Sequence, residues 1–579
     1  MQVAWQSVAD DRYKWIALSN TTLAMLLATI DASIVLIAMP DIFRGIKLNP
    51  LEPGNSFYLL WMILGFLVVT SVLVVSLGSL GDMYGRVRMY NLGFVIYTVA
   101  SLLLSINWLE GTAGADYLII FRIVQGVGAA FLLANTGAIL TDAFPANQRG
   151  LALGISNVVG ISGTFVGLVL GGLLAPISWR LVFLVSVPPG IFGTIWSYRK
   201  LREIGTRRRA PIDWIGNVTF AFGLVLLMVG ITYGIRPYGD SAMGWRSPFV
   251  VACLAGGAGL LAAFIVVETR VAHPMFELSL FKIRAFSAGA IATFFSSVAR
   301  GGMMFMLIIW LQGIWLPQHG YSFESTPLHA AIAMLPLTFG FLIAGPISGI
   351  LSDRYGSRVF ATVGMLGSAL GFVLLLMLPI DFDYPVFAGI LLLMGLSMGC
   401  FASPNRAGVM NSLPPQHRGA GGGMNQTFQN SAQVLSIGIF FTLMIIGLSG
   451  SLPAALASGL TQHGVPAATA AQVSALPPVT VLFSAFLGYN PVQTLLGPHV
   501  LEHVSHANAA ALSGRSFFPK LIEGAFHNGL HEAFLFAIVA CLISAAASWT
   551  RGKRYVDTSD APVTTKVLLD EAGFAELAD

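Results

Sequence analysis

Charge is the first thing this chain of 579 residues lacks: Asp, Glu, Lys and Arg make up 10% of it, against roughly a quarter of a soluble domain, while 55% is hydrophobic. An ordinary globular enzyme is excluded. Cysteine is scarce as well, and Cys253, Cys400 and Cys541 each fall inside an apolar run, so they read as small hydrophobes and not as a disulfide or metal framework. The histidines have no acid or cysteine at ligand spacing, so no metal is expected. No Walker sequence, nucleophile–base pair or metal cluster is visible, so ATP, a catalytic activity and a cofactor are all unexpected. The opening MQVAWQSVADDRYKW carries Asp10 and Asp11 ahead of its first base, and the first apolar run has full span length, so a cleavable signal peptide is not expected.

Long apolar sequence is what the chain has in abundance. Fourteen runs between about residues 15 and 549 are each long enough to cross ~30 Å of hydrocarbon. They predict an all-α integral membrane protein. Most of the 31 Lys and Arg fall on segments that share a side with the N-terminus, most clearly at Arg199, Lys200, Arg202 and Arg207–Arg209, and such charge is retained in the cytoplasm. Both termini are therefore expected to be cytoplasmic, in a multi-pass protein of the cell (inner or plasma) membrane embedded in its lipid bilayer. The net charge of +4 reflects that topology and gives no sign of nucleic acid.

Part of the chain is also written twice. GSLGDMYGRVRMY at Gly78–Tyr90 returns as GILSDRYGSRVFA at Gly349–Ala361, each on the short link between two apolar runs. The shared skeleton is Gly78, Asp82 and Gly85 in the first copy and Gly349, Asp353 and Gly356 in the second, with Arg86 and Arg358 beside them. Further along, PANQRG (Pro145–Gly150) pairs with PPQHRG (Pro414–Gly419), Gly128 with Gly399 and Asn135 with Asn405. Parallel six-helix halves related by an axis along the membrane normal explain the pattern. The predicted division is an N-terminal half at 1–200, a linker at 201–285 with an inserted pair of spans (Trp214–Ile235 and Ser247–Glu268), a C-terminal half at 286–550 and a cytoplasmic tail at 551–579. Inside the C-terminal half, residues 449–526 form a long outer segment with an apolar centre at Val479–Leu487. One or two short helices are expected there, serving as a surface flap or as a lid or lipid-facing extension.

The repeated loop resembles the signature loop of the major facilitator superfamily, and other stretches resemble its fourteen-span drug:proton antiporters. ATIDASIVLIAMPDI resembles their first-helix pattern LDxTxVNVALP through Asp31, Val35, Ala38 and Pro40, with Ser33 and Leu36 replacing Thr and Asn. LIIFRIVQGVGAA resembles RxxQGxGaA through Arg122, Gln125, Gly126, Gly128, Ala129 and Ala130. GISGTFVGLVLGG at Gly160–Gly172 resembles GxxxGPxxGG with Leu168 in place of Pro, and WRLVFLVSVPPG at Trp179–Gly190 resembles WRWIFLINVPIG. The resemblance covers roughly residues 15–447 and 527–549. It implies a major facilitator fold of two six-helix halves plus two inserted helices. It also implies that Arg122 faces the first helix and helps set the protonation of its acid, and that the paired loops latch the halves in the outward-open state without touching substrate.

The charges inside the spans carry the chemistry. Asp31 lies mid-span with no compensating charge within one turn, and an ionised carboxylate at that depth costs about 2.5–3.5 kcal/mol on insertion scales. Its default reading is functional, as the proton carrier; the alternative is an Asp hydrogen-bonded for helix packing alone. Arg122 cannot discharge and must meet an acid, carbonyls or water. It is expected to modulate Asp31, against a purely structural snorkelling role. The aligned stretch Leu392–Cys400 contains no Arg, so proton chemistry is expected in the first half.

Arg300 and Gln125 are possible cavity residues. Arg300 would stand across the cavity from the first helix, meeting an anionic substrate or Asp31, or else serve as structural partner to an acid or carbonyl. Arg406 reads as a snorkelling anchor. Gly163, Gly167, Gly171 and Gly172 fall on one helical side, where backbones can approach closely. In the loops, Gly85 and Gly356 permit tight turns, while Asp82 and Asp353 can face helix N-termini.

These readings converge on a monomeric, proton-coupled exporter of lipophilic small molecules or drugs, its halves rocking around a midplane site. One charge moving through 100 mV is worth ~2.3 kcal/mol, so one proton supports at most roughly a fifty-fold gradient of a neutral substrate. With Asp31 the sole clear deep acid, neutral or weakly charged substrates are favoured. Two other readings stand beside this one: an exporter of lipid or cell-envelope precursors on the same fold, and a non-transporting receptor or scaffold.

Overall fold

The computed structural model describes residues 2–552, apart from 50, 53, 146–147, 205–212, 240, 242, 272–273, 275, 415–416, 489, 491, 493–495 and 497–503. The basic cluster Arg207–Arg209, the side chain of Asp353 and the tail from residue 553 lie outside the described residues. Among the described residues, fourteen helices are long and apolar enough to cross a membrane. In the first half they are α1 (Gln2–Gly45), α2 (Ser56–Tyr84), α3 (Arg86–Ser105), α4 (Gly111–Ala143), α5 (Arg149–Leu174) and α6 (Leu181–Lys200). The inserted pair is α7 (Trp214–Gly234) and α8 (Pro248–Glu268). The second half begins with α9 (Arg284–Gln318), α10 (Thr326–Ala333, continued by Leu335–Tyr355), α11 (Ser357–Met377), α12 (Tyr384–Asn411) and α13 (Arg418–Gln462).

The outer segment then supplies α14 (Ala467–Ser474), α15 (Pro478–Phe486) and α16 (His506–Leu512), and α17 (Phe517–Trp549) closes the half. The segment is more ordered than its composition suggests. Among the described residues it holds three short helices, where one or two are expected, between an α13 that runs on to Gln462 and an α17 that begins at Phe517. All nine residues of α15 are buried, so this stretch is not a surface flap. Its Phe483 and Phe486 rings lie 5.2 and 5.9 Å from those of Phe441 on α13 and Phe305 on α9.

Helix pairing follows the duplication. In the first half α1 packs on α5 and α4; in the second α9 packs on α13 and α12. The turns α2–α3 and α10–α11 are single glycines, Gly85 at φ +114° and Gly356 at φ +86°, a left-handed region that side chains with a Cβ rarely adopt. The halves meet where α2 packs on α13 and α5 on α10. The inserted pair braces the first of these seams. Ser76 of α2 donates to Asn217 of α7, the rings of Phe57 and Tyr233 lie 5.6 Å apart, and Ile231 of α7 packs against Gly438 of α13.

Both described termini lie at one end of the bundle, the loop end, together with the two glycine turns. At the opposite, far end the halves touch. Gln312 Nε2, in a π-helical turn of α9, donates to the Ile37 carbonyl of α1 at 3.2 Å, and a Cβ on Gly172 of α5 would fall 2.6 Å from the Leu328 Cα of α10. At the loop end, a Cβ on Gly137 of α4 or Gly423 of α13 would meet nothing within 4 Å. The halves are thus in direct contact at the far end.

Candidate functional site

Small residues bring the charged helices together. On α4, Gly126 and Gly128 stand where a Cβ would fall 3.0 Å from the Phe66 carbonyl oxygen of α2 and 2.5 Å from the Tyr97 amide nitrogen of α3. On α5, Gly163, Gly167 and Gly171 face successive turns of α1, and a Cβ on Gly167 would fall 2.5 Å from the Ile30 carbonyl oxygen. Gly172 departs from the expected single face: one residue further round the helix, it meets α10 of the other half. Leu168, where the resemblance has Pro, is buried.

The sealed pocket formed by this packing holds Asp31. Arg122 Nη1 forms an ion pair with Asp31 Oδ2, and Gln125 Nε2 donates to Asp31 Oδ1 at 2.9 Å. Arg122 also donates through Nη1 to Gln125 Oε1 at 2.9 Å and through Nε to the Met62 carbonyl at 3.3 Å, with its guanidinium 4.5 Å from the centre of the Phe66 ring. Gln125 Nε2 also donates to Ser101 Oγ at 2.9 Å. Asp31 and Gln125 are 0% exposed and Arg122 1%. A buried pair survives its desolvation cost only when its remaining donors and acceptors are satisfied, and here three helices supply them. Gln125 is thus a partner of Asp31 and does not line a cavity, because its amide bridges Asp31 to Ser101. Ser101, Phe66 and the Met62 carbonyl carry no sequence signal; they belong to apolar stretches and become partners only when the helices cross.

The two glycine turns are equipped differently. In the first, Asp82 does not face a helix N-terminus: its Oδ1 accepts from Arg86 at 2.7 Å, and Arg86 also reaches Asp142 of α4 at 2.6 Å. The carboxylate at the start of α3 is Glu203, beyond the end of α6, which accepts from the Arg86 amide at 2.8 Å and the Val87 amide at 3.2 Å. Gly78 leaves its surroundings open, with Ala134 Cβ 3.9 Å from an added Cβ, and Gly349 likewise has Ser403 Cβ at 3.6 Å. In the second turn, the Arg358 guanidinium lies 3.9 Å from the centre of the Trp549 ring. Arg551, just beyond α17, donates to Asn405 Oδ1 and, at 3.2 Å, to Ser357 Oγ. Burial pushes the Arg551 guanidinium down to about 10, which leaves it charged at neutral pH.

Arg300 stands apart from these clusters. Gly301 and Gly302 bring α9 against Gln433 and Phe440 of α13, so at 100° per residue Arg300 lies on the side of α9 turned away from that contact. It is half-buried, as are Ser296 and Met304 one turn to either side.

Sequence and structure comparisons agree on the kind of molecule. A family model described as Major Facilitator Superfamily matches residues 21–214 and 210–437. The riboflavin transporter RibZ of Clostridioides difficile is 28% identical over 74% of this chain and 88% of its own length. Multidrug resistance protein 3 of Bacillus subtilis is 26% identical over 73% and 78%, and the tetracenomycin C resistance and export protein of Streptomyces glaucescens 25% over 92% and 91%. Among solved structures, a bacterial homologue of the human lysosomal transporter Spinster, inward-facing and unoccupied, superposes with a TM-score of 0.57 at 14% identity, covering 93% of this chain and 97% of that one.

Proposed function

This chain belongs to the major facilitator superfamily, and from that footing we propose that it is a proton-coupled exporter of lipophilic small molecules or drugs, with Asp31 as the proton carrier. The chain is an all-α membrane transporter of the major facilitator fold, two six-helix halves plus an inserted pair. Resistance and export in the names of similar proteins support the outward direction. The positive-inside argument puts the loop end in the cytoplasm, and the reading has the protein acting as a monomer in the cell membrane. In this reading substrate enters from the cytoplasm or inner leaflet.

The observation that carries the coupling is the sealed site itself: a buried acid whose charged form is held by Arg122 and Gln125. Ionised, Asp31 ties α1 to α4. A proton arriving on Asp31 cancels that ion pair and leaves Arg122 with the Met62 carbonyl, the Gln125 amide oxygen and the Phe66 ring. The packing of α1 on α4 therefore differs in free energy between the two protonation states, and proton occupancy biases which end of the bundle opens. The glycine turns at Gly85 and Gly356 act as gating elements, holding the helix ends that move.

The test is pH-gradient quenching in proteoliposomes against cationic dyes, neutral antibiotics and lipids, for wild type and Asp31→Asn. Substrate-driven proton movement is expected in the wild type and absent in D31N. Equal proton movement in both would end the reading.

A further inference from the structure

We propose that Arg300 is a binding subsite for an oxyanion carried by the substrate, a carboxylate, sulfonate or phosphate group on a lipophilic body. The proposal rests on the transport reading above and sharpens it from lipophilic molecules in general to anionic amphiphiles.

Arg300 makes no hydrogen bond, ion pair or ring contact with any described residue. Its counterpart in charge, Arg122, is fully engaged by Asp31, Gln125, the Met62 carbonyl and the Phe66 ring. A guanidinium cannot discharge, and placing one mid-span is costly unless something meets it. Arg300 is therefore a cation whose partner comes from outside the protein. Its planar fork matches the geometry of an oxyanion, which can accept two parallel hydrogen bonds.

The backbone beside it is held in place. The Ser436 hydroxyl of α13 accepts from the Gly302 amide at 2.7 Å and donates to the Val298 carbonyl, so α9 is pinned on both sides of residue 300. A side chain leaving a pinned backbone loses less freedom on binding than one on a loose segment. The height of the site fits as well. Taking the Gln312–Ile37 contact as a common level, Arg300 lies twelve positions back along α9, about 18 Å, and Asp31 six positions back along α1, about 9 Å. The guanidinium root is thus nearer than Asp31 to the loop end, where a molecule entering from the cytoplasmic side arrives first.

An anionic substrate also removes a difficulty of coupling through a single acid. Moving an anion out while one proton moves in carries two charges down the membrane potential, enough at 100 mV for roughly a two-thousand-fold gradient. A neutral substrate gains only roughly fifty-fold.

The test uses lipid nanodiscs holding the full chain, titrated with pyrenebutyrate and with its neutral amide, each corrected for partition into protein-free discs. The wild type should prefer the carboxylate by roughly tenfold or more; R300Q should lose that preference and R300K, which keeps the charge but not the fork, should retain part of it. A wild type that prefers the amide or binds neither probe overturns the subsite, and so does equal weakening of both probes in R300Q. Each of those results leaves the D31N proton-flux measurement to stand or fall by itself.

Discussion

In the first half Arg122, Arg86 and Arg44 each hold an aspartate; in the second, Arg551 holds an amide, Arg358 lies over a ring, and Arg300 meets no described residue. The backbone has been kept through the duplication while the charges have not. Gly85 and Gly356 make the same left-handed turn, and Asn135 and Asn405 occupy matching positions, but only Asn405 is recruited by a guanidinium. Close helix approach is also kept by a different route. Glycines on α5 admit α1 in the first half, whereas Gly301 and Gly302 of α9 admit α13 in the second. Shape is therefore the duplicated property, and the fully buried Asp31–Arg122 pair lies in the first half.

The largest expected difference follows from removing each half's deep cation. R122M would leave the Asp31 carboxylate buried with one amide for company, and orphaning a buried charge costs about 3–5 kcal/mol. R300M orphans nothing. Thermal unfolding in detergent should show a large loss for R122M, partly recovered in the D31N/R122M double variant, and little change for R300M. Similar losses for R122M and R300M would break the contrast between the halves.

The fold was legible in the sequence because membrane spans announce themselves by length and apolarity, and because the loop at Gly78 and Gly349 is written twice. That Asp31 and Arg122 each need a partner was legible from the cost of a charge within a span, but their pairing with one another came from the resemblance, since the same cost falls on Arg300. Gln125 was read as a cavity residue because an amide carries no such cost, and only the crossing of α3 with α4 shows that Ser101 and Asp31 enclose it. Glu203 escaped notice since it sits beyond α6, far in sequence from the helix start it serves. The burial of α15 was equally hidden, because an apolar stretch of nine residues is too short to span and composition does not say what covers it. Gly172 failed the simple face argument by a single 100° step, enough to turn it from α1 to α10.

A smaller effect tests whether the close approaches are equivalent. Adding methyl groups to a packed interface typically costs about 1–3 kcal/mol, depending on whether the neighbour can move. A Cβ on Gly167 would strike the Ile30 backbone oxygen at 2.5 Å, which cannot swing aside; on Gly459 of α13 it would strike the terminal δ1 methyl of Leu521 on α17, which can. G167A should therefore lower the unfolding midpoint and slow transport more than G459A does. Equal or reversed losses would mean that the two interfaces yield in the same way, against the geometry.

The smallest expected effect concerns the helix starts at the two glycine turns. Glu203 places a carboxylate on the first amides of α3, accepting from Arg86 and Val87, whereas the Ser357 hydroxyl at the start of α11 is taken by Arg551, a cation. Anions at a helix N-terminus stabilise it by about 0.3–1 kcal/mol at low ionic strength, and Glu203 is exposed, so the lower part of that range applies. E203Q keeps the hydrogen-bonding shape and removes the charge. The unfolding midpoint of E203Q should fall slightly below wild type in low salt and converge with it in 1 M salt, where the Debye length shrinks to about 3 Å. R551Q should show the opposite asymmetry: its interaction is buried, hence poorly screened, and its deficit should persist in high salt. An E203Q deficit that survives 1 M salt would assign Glu203 a packing role, and the first turn would then be held by shape in the same way as the second.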